Sequence, residues 1–199
     1  MGKPKEQEGA RKAKEGDLPP SALNYPEEAK SMLKRAIEGD AAAQNNMGYT
    51  YEKGRGVPQD YAEAIHWYRK AAEQGHAQGQ NNMGRMYARG RGVARDDDEA
   101  VKWFRKAAEQ GNPAGQNNLG YMYRKSRGVP QDHAEATRWF RKAATQGYAT
   151  AQYNLGLAYA QGRGVPKDRQ EAIKWFRKAA AQGHEKAKEH LRKLGAPEP

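Results

Sequence analysis

The chain contains no cysteine. That excludes disulfides, thiolate metal sites, iron–sulfur clusters and a cysteine nucleophile together, and leaves the redox compartment open. Serine is scarce, at Ser21, Ser31 and Ser126. None stands in the strand-turn-helix setting that raises a nucleophile, so no Ser–His–Asp arrangement is nominated. Long apolar runs are missing as well, and no transmembrane helix fits. Residues 1–17 are polar and charged, without the apolar stretch of a secretory leader. As written, the chain reads as soluble and cytoplasmic, or as periplasmic had a leader been removed. No segment shows the alternation of a strand.

Acidic residues are short too, 24 against 35 Lys and Arg in 199 residues, a formal net charge of +11. The first forty residues hold eight of each sign, so the whole excess lies beyond them. The histidines His66, His76, His133, His184 and His190 include no pair at the H-x-x-x-H ligand spacing. Asp96-Asp97-Asp98 falls at a helix start, where carboxylates satisfy free amides, and is read as a cap. Gly54-Arg55-Gly56 lacks the strand and the Lys-Ser/Thr of a phosphate-binding loop. No catalytic residue, metal or cofactor is assigned.

What the chain does have is a period. Trp67, Trp103, Trp139 and Trp175 recur every 36 residues, as do Gly48, Gly84, Gly120 and Gly156. Tyr51, Tyr87, Tyr123 and Tyr159 follow the same offset, and so do Asp60, Asp96, Asp132 and Asp168, each with Glu three residues on. A fixed period of this length marks a repeat architecture. All four tryptophans share one position, which makes Trp a packing element, with the glycines as its small counterparts.

Each period reads as two helices. In the first, Ala43, Met47 and Tyr51 line one face of a helix over about 41–53. Gly54 ends it, and Asp60 with Glu63 opens a second helix as a capping box. Ala64, Trp67, Tyr68, Ala71 and Ala72 form that helix's buried stripe, and Gly75 closes it. The expected divisions are an extended or disordered segment over 1–24, a capping helix over 25–39, hairpins over 40–75, 76–111, 112–147 and 148–183, and a capping helix with tail over 184–199. Gly79 and Gly115 replace the Ala of the other copies, at about 1 kcal/mol each in a helix interior. Ser126 replaces a helix-ending Gly and is expected to be strained.

The fourth copy carries a resemblance most fully: Ala151-Gln152-Tyr153-Asn154-Leu155-Gly156, then Tyr159, Gly162, Gly164-Val165, Asp168, Ala172, Trp175-Phe176, Ala179-Ala180 and Gly183. This pattern resembles the Sel1-like repeat, a relative of the tetratricopeptide repeat, over residues 41–184. The resemblance implies an all-α, right-handed superhelical solenoid of helix hairpins, with first helices lining the concave side. It also implies a non-enzymatic adaptor or scaffold, of bacterial type, that binds another protein or a peptide. A few secreted relatives are linked to β-lactam binding or hydrolysis. They carry a cysteine pair per repeat, which this chain lacks, so that reading ranks last.

With Met47 at the core centre of a helical wheel of about 100° per residue, Asn45, Tyr49 and Glu52 fall opposite, with Asn46 flanking. Across the copies the outward set is Asn45, Asn46, Tyr49, Asn81, Asn82, Arg85, Arg89, Asn117, Asn118, Tyr121, Arg124, Tyr153 and Asn154. A ladder of amides matches the C=O and N–H of an extended peptide. For Asn45, Asn81 and Asn117 the ligand-facing reading is preferred, because they point furthest from the presumed core. For Asn46, Asn82, Asn118 and Asn154 two readings stand level, ligand binding and bridging to the next helix. Arg85, Arg89, Arg124 and Lys125 add charge suited to an acidic residue or terminal carboxylate. The ladders Arg55, Arg91, Arg127, Arg163 and Arg69, Arg105, Arg141, Arg177 support an alternative, an array binding nucleic acid or an acidic partner. A solvated convex face is the preferred explanation of these ladders. Open solenoid ends leave self-association as a further partner class.

Overall fold

The computed structural model describes residues 15–197. Among them are ten α-helices, two short 3-10 turns and no strand. The expectations for residues 1–14 and 198–199 lie outside the described residues. The chain divides into two units, residues 1–79 and 80–199.

In the first unit, 3-10 turns at Glu15–Asp17 and Pro20–Asn24 lead to α1 (Glu27–Ile37), α2 (Ala41–Lys53) and α3 (Tyr61–Glu73). Residues 15–24 were expected to be extended or disordered, and they are not. Leu18 and Ala22 are buried, and that burial offsets the entropy of ordering a short segment. Asp40 caps α2 by accepting from Ala43 N at 2.9 Å. Gly54 ends α2 in the left-handed region, at φ 65°, and Asp60 N donates to Tyr51 O at 3.1 Å, closing the hairpin.

The second unit holds most of α4 (Ala77–Arg89), then α5 (Asp97–Glu109), α6 (Pro113–Lys125), α7 (His133–Thr145), α8 (Ala149–Gln161), α9 (Arg169–Ala181) and α10 (Glu185–Lys193). The aspartate caps recur: Asp96 accepts from Glu99 N and Asp132 from Glu135 N, each at 2.9 Å. Only the aspartate half of the capping box forms. The backbone N–H groups of Asp96, Asp132 and Asp168 donate instead to Tyr87, Tyr123 and Tyr159 carbonyls. The Glu side chains are thereby released to pair with cations three residues on, as Glu99 does with Lys102 at 2.9 Å.

Within each hairpin the glycine sets the interhelical distance. A Cβ on Gly48 would lie 2.5 Å from the Tyr68 ring, and one on Gly120 would lie 2.8 Å from the Phe140 ring. The glycine therefore faces the aromatic after the tryptophan, where the sequence reading set it against Trp67 and Tyr51. Gly115 does similar work, since its Cβ would meet Ala107 Cβ at 2.7 Å. The tryptophans seal one hairpin to the last. Trp139 on α7 joins Ala100, Val101, Phe104, Leu119 and Met122 from α5 and α6, and Trp175 on α9 joins Phe140, Ala144, Ala151 and Leu155. Lys106, Lys142 and Lys178 lie over the faces of Trp103, Trp139 and Trp175 at 4.3, 4.2 and 4.6 Å. The result is an all-α helix-hairpin solenoid.

Candidate interaction surface

Stacking alters which residues the first helices expose. A helix in a repeat array packs against its own second helix and also against the first helices beside it, so its flanks are buried as well as its core face. Asn45, Asn81 and Asn117, read from the wheel as the outermost positions, are buried at 8%, 1% and 7% exposure. Asn82 and Asn154 are buried too. Asn118 Nδ2 donates to Asn81 Oδ1 at 2.8 Å, and Asn154 Nδ2 donates to Asn117 Oδ1 at 2.8 Å. These amides are rungs between consecutive first helices, and the preferred reading of them as a ligand-facing ladder is corrected. Glu52, placed on the outward side, is also buried and accepts from Tyr68 Oη at 2.8 Å. Tyr153 is half-buried, stacked on His184 with ring centroids 4.5 Å apart.

A second set of rungs went unread in the sequence. Gln80, Gln116 and Gln152 are buried. Their Oε1 atoms accept from Gln110, Gln146 and Gln182 at 2.7–2.8 Å, each the C-cap of the same hairpin's second helix. The signal was there, a glutamine at one period position in all four copies and another thirty residues on.

What the first helices leave accessible is cationic and aromatic. In the first unit, Asn46 is exposed and Tyr49 half-exposed. Tyr49 lies under the Arg55 guanidinium at 4.9 Å, and both border a cleft of about 420 Å³ with Pro26, Met32 and Asn46. In the second unit, a cleft of about 280 Å³ is lined by Arg85, Arg89, Phe104, Asn118, Tyr121 and Arg127, among others. Arg85 Nη1 donates to Asn82 Oδ1 at 3.0 Å. Arg127 Nε donates to Asp97 Oδ2 at 3.0 Å, and its Nη2 reaches both Asp97 Oδ1 and Ala88 O. The Arg127 and Arg95 guanidiniums hold the Asp97 carboxyl well below the usual carboxylate range.

Further along, Arg124, Lys125, Gln131, His133, Leu157, Gln161 and Arg163 line a cleft of about 480 Å³. Arg124 Nη1 donates to Asn154 Oδ1 at 3.1 Å, while its Nε is buried without a partner. Burial pushes the Arg124 guanidinium down from its ordinary value, and the charge of Arg163 adds to that. The second-helix ladder is occupied in part: Arg105 and Arg141 donate to Tyr123 and Tyr159 hydroxyls at 2.9 Å. Among the described residues, no helix is long and apolar enough to cross a membrane, and no group of three His, Cys, Asp or Glu is placed to hold a metal.

Hairpins of constant length, sealed by one indole per period and tied by amide rungs, define a helical repeat protein. The family model of the Sel1 repeat matches residues 41–76, 77–112, 113–148 and 149–184, and the chain belongs to that family. Among solved structures it is similar to c5321, a protective antigen of uropathogenic Escherichia coli with an SLR fold, at 40% identity and TM-score 0.77 over 85% of this chain. The chain spans 38% of that structure. It is 37% identical to a Sel1 repeat protein of Oxalobacter formigenes, with TM-score 0.79, covering 89% of this chain and 73% of that one. Similarity extends to Helicobacter pylori cysteine rich protein B at 26% identity and TM-score 0.54, over 67% of this chain and 96% of that one. A comparison with curated proteins gave no match. Sel1 repeat proteins are generally protein-interaction scaffolds.

Proposed function

We propose that the chain is a non-enzymatic scaffold that receives an extended segment or loop of another protein along the first helices of its second unit. The observation that carries this reading is the character of the two clefts there. Arg85, Arg89, Arg124, Lys125, Arg127 and Arg163 line them together with Tyr121, and neither lining contains a carboxylate. Rigid helices hold these groups in place, so a ligand loses entropy on docking while the wall loses little. Tyr and Arg are also the side chains that most often dominate binding energy at protein interfaces. The rival use of the second-helix ladder for nucleic acid is weakened, because its arginines bond tyrosine hydroxyls and its lysines cover tryptophans.

The test is partner capture from the native host by the full chain and by the double variant Arg85→Ala, Tyr121→Ala, with Lys186→Gln, which lines neither cleft, as a control. The double variant is expected to lose about tenfold or more in capture, the loss of two interface anchors. Capture that is equal in all three proteins would refute the reading.

A further inference from the structure

The repeat supplies its own control for one site. Residues 97 and 127 stand one period before residues 133 and 163. At the earlier interface, α5 begins with Asp97 and the loop after α6 carries Arg127. Arg127 grips that carboxylate with two nitrogens. At the later interface, α7 begins with His133 and the loop after α8 carries Arg163. The backbones approach equally closely in both places. A Cβ on Gly128 would collide with Asp97 O, and one on Gly164 would collide with His133 O. The arginine recurs at both interfaces, but it faces Asp97 at one and His133 at the other, and a neutral imidazole cannot accept two N–H bonds at once.

The later loop is held in position without an ion pair to residue 133. Thr137 Oγ1 donates to Arg163 O at 3.0 Å, and Arg163 N donates to Ala158 O at 3.0 Å. Thr137 occupies the position of Ile65, Val101 and Ile173, so both α7 residues that meet the loop differ from the other copies. The surrounding charge is also uncompensated. Arg124, Lys125 and Arg163 border the 480 Å³ cleft, and Gln131 and Gln161 add amides to it. Among the described residues, none of these three cations has a carboxylate partner. Arg124 spends one nitrogen on Asn154 and holds a second, Nε, without a bond.

We propose that this cleft is a carboxylate-binding site, in which an Asp or Glu side chain of a partner protein sits on Arg163 as Asp97 sits on Arg127. Lys125 and Arg124 supply further positive charge, so a segment with two or more consecutive acids fits better than a single one. The planar, two-toothed grip seen on Asp97 is the geometry arginine offers a carboxylate. The proposal rests on the scaffold reading above and names the chemistry of the segment received.

The test is fluorescence-anisotropy titration of labelled hexaglutamate, with hexaglutamine and inorganic phosphate as competitors, into the full chain. Four proteins are compared: the unaltered chain, Arg163→Gln, His133→Asp and Lys186→Gln. Loss of a charged hydrogen-bond pair should weaken hexaglutamate about tenfold or more in Arg163→Gln. His133→Asp should do the same by filling the seat from within, with a melting temperature equal to or above that of the parent. Lys186→Gln removes the same charge outside the cleft lining and should stay within about twofold, since exposed charges not in contact with the ligand are screened by salt. Hexaglutamine and millimolar phosphate should not compete. Equal affinity for the parent and His133→Asp, an equal loss in Lys186→Gln, competition by phosphate, or no binding of hexaglutamate would each overturn the proposal. These results are independent of partner capture through Arg85 and Tyr121, so a failed seat leaves the scaffold reading to stand or fall by its own test.

Discussion

Ser126 ends α6 at φ 52°, ψ 46°, the only non-glycine residue among those described with positive φ. The corresponding Gly54, Gly90 and Gly162 take the same conformation, at φ 65°, 62° and 67°. An L side chain there costs about 1 kcal/mol, so Ser126→Gly is expected to raise stability by about that amount in urea denaturation. A histidine makes a second prediction. His184 caps α10 by accepting from Ala187 N through Nδ1, and burial pushes its pKa down, with Lys186 adding to the effect. A depressed native pKa means the unfolded chain binds the proton more readily. The contribution is therefore complete above the free imidazole value of about 6.5 and is lost as pH falls through the lower native value. His76, also lowered by burial and accepting from Gly79 N, adds in the same sense. The low-lying Asp97 carboxyl loses its contribution only in the acid range, below about 4, so the two windows separate. Denaturation between pH 7.5 and 5 should show stability falling, and His184→Asn, which keeps a capping oxygen, should flatten the slope. An unchanged slope would show that the cap does not titrate.

Most of the helices were legible because they carry their own punctuation, α1 and α8 starting without a side-chain cap. Asp40, Asp60 and Asp132 start helices, Gly54 and Gly162 stop them, and the Ala/Trp/aromatic stripe marks the buried face of every second helix. The first helices were half legible. Their core line of Ala43, Met47 and Tyr51 is buried as read. Their flanks were misread because a wheel drawn for one helix has one inside, whereas an array gives it several. Asn81 and Asn117 look outward on the wheel and meet the next rung in the fold. Arg85, Arg89, Tyr121 and Arg124, also read as outward, line the clefts of the second unit. Missing from that reading was Arg163 with His133, visible only once Asp97 is known to be the partner of Arg127. The helix pairs also make a packing prediction. Gly120→Ala should gain about 1 kcal/mol of helix propensity yet lose more, because its Cβ would meet Phe140 Cε1 at 2.8 Å and Ala136 O at 2.9 Å. Overpacking of this kind costs about 1–3 kcal/mol, so a lowered melting temperature is expected, and a raised one would show that the α6–α7 pair can spread.

The molecule as a whole divides its polar side chains between two tasks. Amides tie consecutive first helices, and cations with a tyrosine line the clefts beside them. The excess of eleven positive charges over the chain would speed encounter with an acidic partner of the kind proposed, and such an encounter would slow as salt rises. The family fold was legible at this level because the 36-residue period runs through four copies without insertion. The division of labour was not, because an asparagine's bonding partner thirty-seven residues away leaves no trace in local pattern.

Asn117→Ala puts that division to the test, through melting temperature and partner capture measured on the same preparation. Removing the rung leaves Asn154 Nδ2 buried without its acceptor, at about 1–3 kcal/mol, equivalent to a fall of about 2–12 °C in a chain of this size. The account predicts that fall, with capture by the folded protein unchanged. An unaltered melting temperature with capture lost would contradict it and return the asparagines to the binding surface.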